Sequence, residues 1–358
     1  MINKIQQFIG FVLLMILVMG MTIAPSHRNQ ASLKHPVSSP PATIPTPELV
    51  SEFSPIKTEE APKPPETSSP IDFPTISSKR IFTDLENLAF ERYSESQREQ
   101  ARQYIIDQLE AAGWETQQQE FEEGINLYGD RPGTDPDAGT ILVAAHYDTV
   151  AFSPGADDNA TGVATVLEIA RLLKNRETAR SLRVAFFDKE ESGLWGSLAF
   201  AGNEQLRANL KGVIIADMIG YACHIPGCQS YPVNIPVTPP SNKGDFIVVI
   251  GDAENLPLLN TFNSVKTDAI ASKNIHTSPV LTIPIPLKGV LTPDTLRSDH
   301  APFWYQGIGA VLVTDTANLR NPHYHQPTDV VENIDREFFL GSAQLILNST
   351  TTLLESHR

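Results

Sequence analysis

The chain has 358 residues, 41% of them hydrophobic and 19% charged, with two cysteines and a formal net charge of −15. Two cysteines exclude a disulfide scaffold and a cysteine-rich zinc module. The acidic balance argues against nucleic acid as a partner, because phosphate binding needs a basic face. Residues 1–79 carry six Lys/Arg and six Asp/Glu, so the whole negative excess lies in residues 80–358.

Lys4 precedes an apolar run from Phe8 to Ile23, interrupted by Gly10, Gly20 and Thr22. As a helix these residues span about 24 Å, short of the ~30 Å hydrocarbon core. Length therefore leaves residues 1–24 open as a signal peptide or a membrane anchor. Thr22 and Ala24 are the best small-residue pair for cleavage, but Pro25 directly after them makes a poor substrate. That tips the reading toward an anchor, and on either reading the body is exported to the periplasm or beyond. Twelve of the 28 prolines fall between Pro25 and Pro74, among Ser, Thr and Glu. Such a stretch cannot bury enough apolar surface to offset its ordering entropy, so residues 25–79 read as a disordered tether.

The body is expected over 80–358. Ser94 to Gly113 is predicted to be a helix, with Ser94 as cap, Gln97 at the capping-box position and Gly113 as terminator. Short apolar, β-branched runs then alternate with helical stretches. Strands are expected at Thr140–Ala145, Leu182–Phe187, Gly212–Ala216, Phe246–Ile250 and Gly309–Val313. Helices are expected at Gly162–Lys174, Leu256–Thr267 and Arg336–Glu355. Strands apolar on both faces, with helices between them, predict a three-layer α/β/α domain around a mostly parallel mixed sheet.

In such sheets ligands bind beyond the carboxyl ends of the strands. Ile141–Ala145 ends in His146-Tyr147-Asp148. Leu182–Phe187 ends in Asp188-Lys189-Glu190-Glu191. Gly212–Ala216 ends in Asp217. The loop Gly155-Ala-Asp157-Asp158-Asn159-Ala-Thr-Gly162 and the segment Asn321–Asp329 add more Asp and His. Carboxylates gathered at one edge repel each other unless cations neutralise them. A mixed imidazole and carboxylate set suits zinc, and a bridging carboxylate suits a two-metal cluster. One of the neighbours Glu190 and Glu191 can bind metal while the other stays free to move protons. Asp148 is placed to accept the second N–H of His146. Asp157 reads as a helix N-cap.

The ordered set HYD, GADDNATG, FDKEESGLWGS, ADMIGY, SDHAPF and YHQPTD resembles the co-catalytic zinc aminopeptidases, whose relatives include glutamate carboxypeptidase and glutaminyl cyclase. The resemblance implies two Zn2+ per chain and peptide substrates. His146 and Asp217 would bind the first zinc, Glu191 and His325 the second, and Asp158 would bridge them. Glu190 would be the general base and Tyr324 an oxyanion donor. His323 competes with His325 for one role, and the Tyr-His-Gln register favours His325.

Three further features stand beside this set. Asp299, His300 and Arg297 are candidates for substrate contact, with a local cap or packing role as the other reading for Asp299-His300. Cys223 and Cys228 can form a short-loop disulfide at the rim of the cleft, or remain two free thiols. Two other functions compete: a one-zinc glutaminyl cyclase of the same fold, and a binding module on a hydrolase fold that has lost its ligands. Residue preference and oligomeric state are not legible in these motifs.

Overall fold

In the computed structural model, residues 71–232, 241–268 and 277–356 are described. The apolar N-terminal run and nearly all of the proposed tether lie outside them. An eight-stranded sheet runs in the order β1-β2-β4-β3-β5-β8-β6-β7. Its strands are β1 (Gln117–Phe121), β2 (Gly124–Arg131), β3 (Thr140–His146), β4 (Ser181–Phe187), β5 (Leu210–Ala216), β6 (Ile247–Asp252), β7 (Val280–Ile285) and β8 (Ala310–Thr314). The central strands β4, β3, β5 and β8 are mutually parallel. β1 and β2 are antiparallel additions on one side, and β6 runs antiparallel to β8 on the other. The expected mixed, mostly parallel sheet is therefore present.

Side-chain alternation along the strands divides the core in two. Ile141, Val143 and Ala145 of β3 face one layer, and Leu142 and Ala144 face the other. The first layer is thick. It holds α1 (Ser78–Leu88), α2 (Glu95–Ala111), α3 (Gly162–Leu173), α6 (Leu256–Asp268) and α8 (Arg336–Glu355). The second layer is thin, made of α4 (Trp195–Gly202), α5 (Glu204–Arg207) and α7 (Ala301–Tyr305). It covers β3 and β4 through Phe200, Phe303 and Trp304, and leaves the same face of β6, β7 and β8 to line a cavity.

The cap foreseen at Ser94 forms: the Gln97 amide donates to Ser94 Oγ, and Gln97 Oε1 accepts from the Ser94 amide. Such a cap contributes about 1 kcal/mol. The body also starts earlier than residue 80. Ile76 is buried, its amide donates to Gln344 Oε1 at 3.0 Å, and the Ser77 amide donates to Glu168 Oε1 at 2.9 Å. Ser77 caps α1, whose Ile81, Phe82, Leu85 and Leu88 recur at helical spacing and are buried. The folded body therefore includes residues ahead of Arg80, where proline content hides the start of an amphipathic helix from the sequence reading.

Candidate metal centre

The segments that carry the candidate ligands gather at the carboxyl edge of the parallel strands. His146 is the last residue of β3, Asp217 follows β5, and Glu190 and Glu191 stand just past β4. Asp158 sits between β3 and α3 in a π-helical turn, Ala156–Thr161, where Asp158 and Asn159 depart from helical angles. His325 lies in the connection from β8 to α8, with a left-handed φ of 59°. Gly155 opens the Asp158 turn at φ 61°. A Cβ there would stand 2.3 Å from the Asp158 carbonyl and 2.8 Å from Arg92 Nη2, so only glycine fits.

Five of these side chains form two triads that share Asp158. Nε2 of His146 is 3.4 Å from Asp158 Oδ1 and 3.4 Å from Asp217 Oδ1. Nε2 of His325 is 3.2 Å from Asp158 Oδ2 and 3.1 Å from Glu191 Oε2. The two carboxylate oxygens of Asp158 thus face different partners. Donor atoms around a tetrahedral zinc with bonds of ~2.0–2.1 Å stand about 3.3 Å apart. The observed spacings fit that figure, and the N/O donor set fits zinc chemistry. His323, by contrast, pairs its Nδ1 with Thr328 Oγ1 and belongs to neither triad.

The electrostatics show how much the site needs a counter-charge. Burial pushes Glu190 well above the ordinary carboxyl range; His146 opposes this, and Asp299, Glu191 and Asp217 add to it. Glu191 is pushed up to about 7, by burial and then by Asp158. Burial disfavours the charged form of His325, yet Asp158 and Glu191 outweigh it and hold the imidazole at about 10. Burial likewise works against Asp158, but His146 and His325 draw its carboxyl well down.

Several supports were not foreseen. Ser298 Oγ donates to Asp217 Oδ2 at 2.6 Å, leaving Oδ1 toward His146. Asp148 is 3.5 Å from Nδ1 of His146, and that nitrogen has no hydrogen bond. The expected Asp148–imidazole bond is therefore not made. Asp148 instead accepts from the amides of Glu190 (3.0 Å) and Glu191 (3.3 Å) and so shapes the turn that presents both. Asp157 is not a helix cap. Its carboxylate accepts from the Gly220 amide and from Asn321 Nδ2, both at 2.8 Å, joining three loops.

The cavity beside the triads has a volume of about 230 Å³. Glu190, Tyr324 and Arg297 line it with the ligands, and Val248, Ile250, Leu281, Ile283 and Leu312 form an aliphatic wall. Tyr324 stacks on His325 with ring centroids 3.7 Å apart and accepts from Arg297 Nη2 at 3.1 Å. Burial raises its phenol, with Asp158 and Glu191 adding, so it keeps its proton for donation. Asp299 and His300 do not line the cavity. Both are fully buried, and His300 Nε2 is 2.8 Å from the Thr295 carbonyl. Their burial favours the packing reading over substrate contact. They directly follow Ser298, and the His300 ring meets Trp304 edge to face with centroids 4.6 Å apart. Cys223 and Cys228 are disulfide-bonded, and Cys228 directly precedes Gln229 of the cavity wall.

Fold and site together define an α/β metallopeptidase. Residues 126–350, more than half of the chain, match peptidase family M28, and the chain belongs to that family. It is 32% identical to the uncharacterized protein YfbL of Escherichia coli K12 over 233 residues, covering 62% of this chain and 68% of that one. It is 26% identical to leucine aminopeptidase 1 of Trichophyton equinum over 237 residues, covering 62% of this chain but only 56% of the fungal protein. The LapA aminopeptidase of Legionella pneumophila shares the fold, with a TM-score of 0.61 at 20% identity over 79% of this chain and 73% of that one.

Proposed function

We propose that the protein is a two-zinc aminopeptidase that removes N-terminal residues with apolar side chains from peptides. The observation that carries this reading is Asp158, whose two oxygens face separate His-carboxylate triads beside Glu190 in one cavity. Asp158, Glu190, Glu191 and Asp217 carry four negative charges when ionised, which two divalent cations would balance. A one-zinc cyclase would leave one complete triad unused, and a binding module would not need the full set.

Bound zinc would supply Lewis-acid charge at the scissile carbonyl and a nucleophile at neutral pH. Glu190 takes one proton from the attacking water and returns it to the amine nitrogen of the departing peptide. Its raised proton affinity suits a group that must hold the proton between the two transfers. The Tyr324 hydroxyl accepts from Arg297, so its own hydrogen is free to be donated to the carbonyl oxygen as negative charge develops there. A donor of this kind is worth on the order of 2.7–4 kcal/mol. The aliphatic wall from β6, β7 and β8 receives the side chain of the residue removed; burying a leucine side chain contributes about 1.5–3 kcal/mol.

Export is part of the same reading. The Cys223–Cys228 bridge suits an oxidising compartment. Among the described residues no helix is long and apolar enough to cross a membrane, so anchoring would rest on the N-terminal apolar run. The test is a panel of leucyl, alanyl, N-acetylated and N-terminal glutaminyl peptides, with and without chelator. Leucyl substrates should be cleaved fastest, blocked ones not at all, and chelator should stop turnover. Cyclisation of glutaminyl peptides without hydrolysis of leucyl ones would refute the proposal.

A further inference from the structure

Arg92 lies outside the family-matched region, 54 residues before His146, and its side chain is wholly buried. Burial pulls the guanidinium down to about 10, with Asp329, Asp158, Asp148 and Glu191 opposing, so it remains a cation at neutral pH. A buried cation normally sits against a carboxylate. The hydrogen bonds of this guanidinium instead go to backbone carbonyls. Nε donates to Tyr147 O at 2.6 Å, and Nη2 donates to Gly155 O at 2.9 Å. Nη1 faces the carbonyls of Leu88, Phe90 (2.8 Å) and Pro154 (2.9 Å). One planar group thereby joins the end of β3, between His146 and Asp148, to the start of the turn that carries Asp158.

The same turn is held from its other side. The Asp329 carboxylate accepts from the amides of Asp157 (2.8 Å) and Asp158 (3.0 Å), and its carbonyl accepts from the Ala156 amide. Carbonyls 154 and 155 thus go to a guanidinium, and amides 157 and 158 to the two oxygens of one carboxyl group. Between these two grips the backbone of Asp158 has little freedom to rotate. A bridging carboxylate needs that restraint, since each of its oxygens must face a different triad.

We propose that Arg92, acting with Asp329, is the positioning residue for the bridging ligand, and that the segment ahead of the family-matched region therefore completes the metal centre. This rests on the reading of Asp158 as a zinc ligand. Lysine cannot replace the guanidinium, because an ammonium has three donors on one atom and no planar fork to span carbonyls of three segments.

The experiment titrates Zn2+ into the metal-free full-length chain against a chromophoric chelator, for the parent, Arg92→Lys, Asp329→Asn and a control, Arg131→Lys. Arg131 is a buried arginine that also bonds a backbone carbonyl, that of Arg176, away from the site. Losing a supporting contact of a ligand typically weakens metal affinity about 10–100-fold. Arg92→Lys and Asp329→Asn should each show that loss for every zinc that depends on Asp158. Arg131→Lys should lower the melting temperature and leave affinity as in the parent. Parent-like zinc affinity in Asp329→Asn, or in a folded Arg92→Lys, would overturn the proposal, as would an equal loss in Arg131→Lys. Asp329→Asn, near-isosteric, decides alone if the arginine variant does not fold. Parent stoichiometry tests the two-zinc reading separately, because the positioning role is read from the ratio of variant to parent affinity.

Discussion

The two triads share one residue and differ in almost everything else. His146 and Asp217 stand at the ends of adjacent parallel strands, and the His146 side chain is 1% exposed. Glu191 and His325 stand on loops, and the His325 side chain is 31% exposed. The first pair is fixed by the sheet itself, so its geometry comes with folding. The second pair depends on turn-level devices: the grip of Asp148 on the amides of Glu190 and Glu191, and the left-handed backbone at His325. On the proposed two-zinc reading, one cation position would be preformed and the other assembled from loops, so the second should exchange first.

Asp158→Ala is the strongest way to break this contrast, because it removes the shared residue. Both zinc ions and all turnover should be lost, as measured by metal content after dialysis. Retention of two ions would mean that Asp158 does not bridge. Glu190→Gln should follow in size, lowering kcat by about 10²–10⁴-fold with the metal content of the parent. A parallel loss of zinc would move Glu190 into the ligand set.

A smaller effect separates the triads by pH. The loop triad holds protons near neutrality, with His325 at about 10 and Glu191 at about 7. A cation must displace those protons, so its affinity should rise as pH rises through that window and fall below it. Calorimetry in buffers of different ionisation enthalpy should show proton release on binding. Binding without proton release at pH 7 would contradict it. The smallest effect belongs to the rim. Replacing Cys223 and Cys228 with serine removes a closed loop of a few residues, worth about 2 kcal/mol in the chain-entropy account. Thermal unfolding should register it, while metal content should not change.

Three candidate ligands, His146, Glu191 and Asp217, are legible because each stands at or just past the end of an apolar strand, whereas Asp158 and His325 are placed by the resemblance of their motifs. The central strands were legible from the same apolar runs. The hairpin of β1 and β2 was not, since β1 reads Gln-Gln-Gln-Glu-Phe and is largely exposed. Nor was β7, an edge strand interrupted by Pro284. For Asp299 and His300 the residue types leave cleft and packing readings open, and burial favours packing. Arg92 left no signal, and Asp329 was visible only as the last residue of the YHQPTD motif, without its backbone partners. Their partners are backbone atoms about 60 and 170 positions away, and no side-chain pattern encodes those.

The early start of the body has a practical side. Gln344 Nε2 donates to the Pro74 carbonyl, and its Oε1 accepts from Ile76, so α8 near the C-terminus clasps the chain where it enters the body. Removing the residues upstream of Phe73 should leave that clasp intact. A cut only a few residues later would unfasten that clasp, loosen α1, and with it the stretch leading to Arg92.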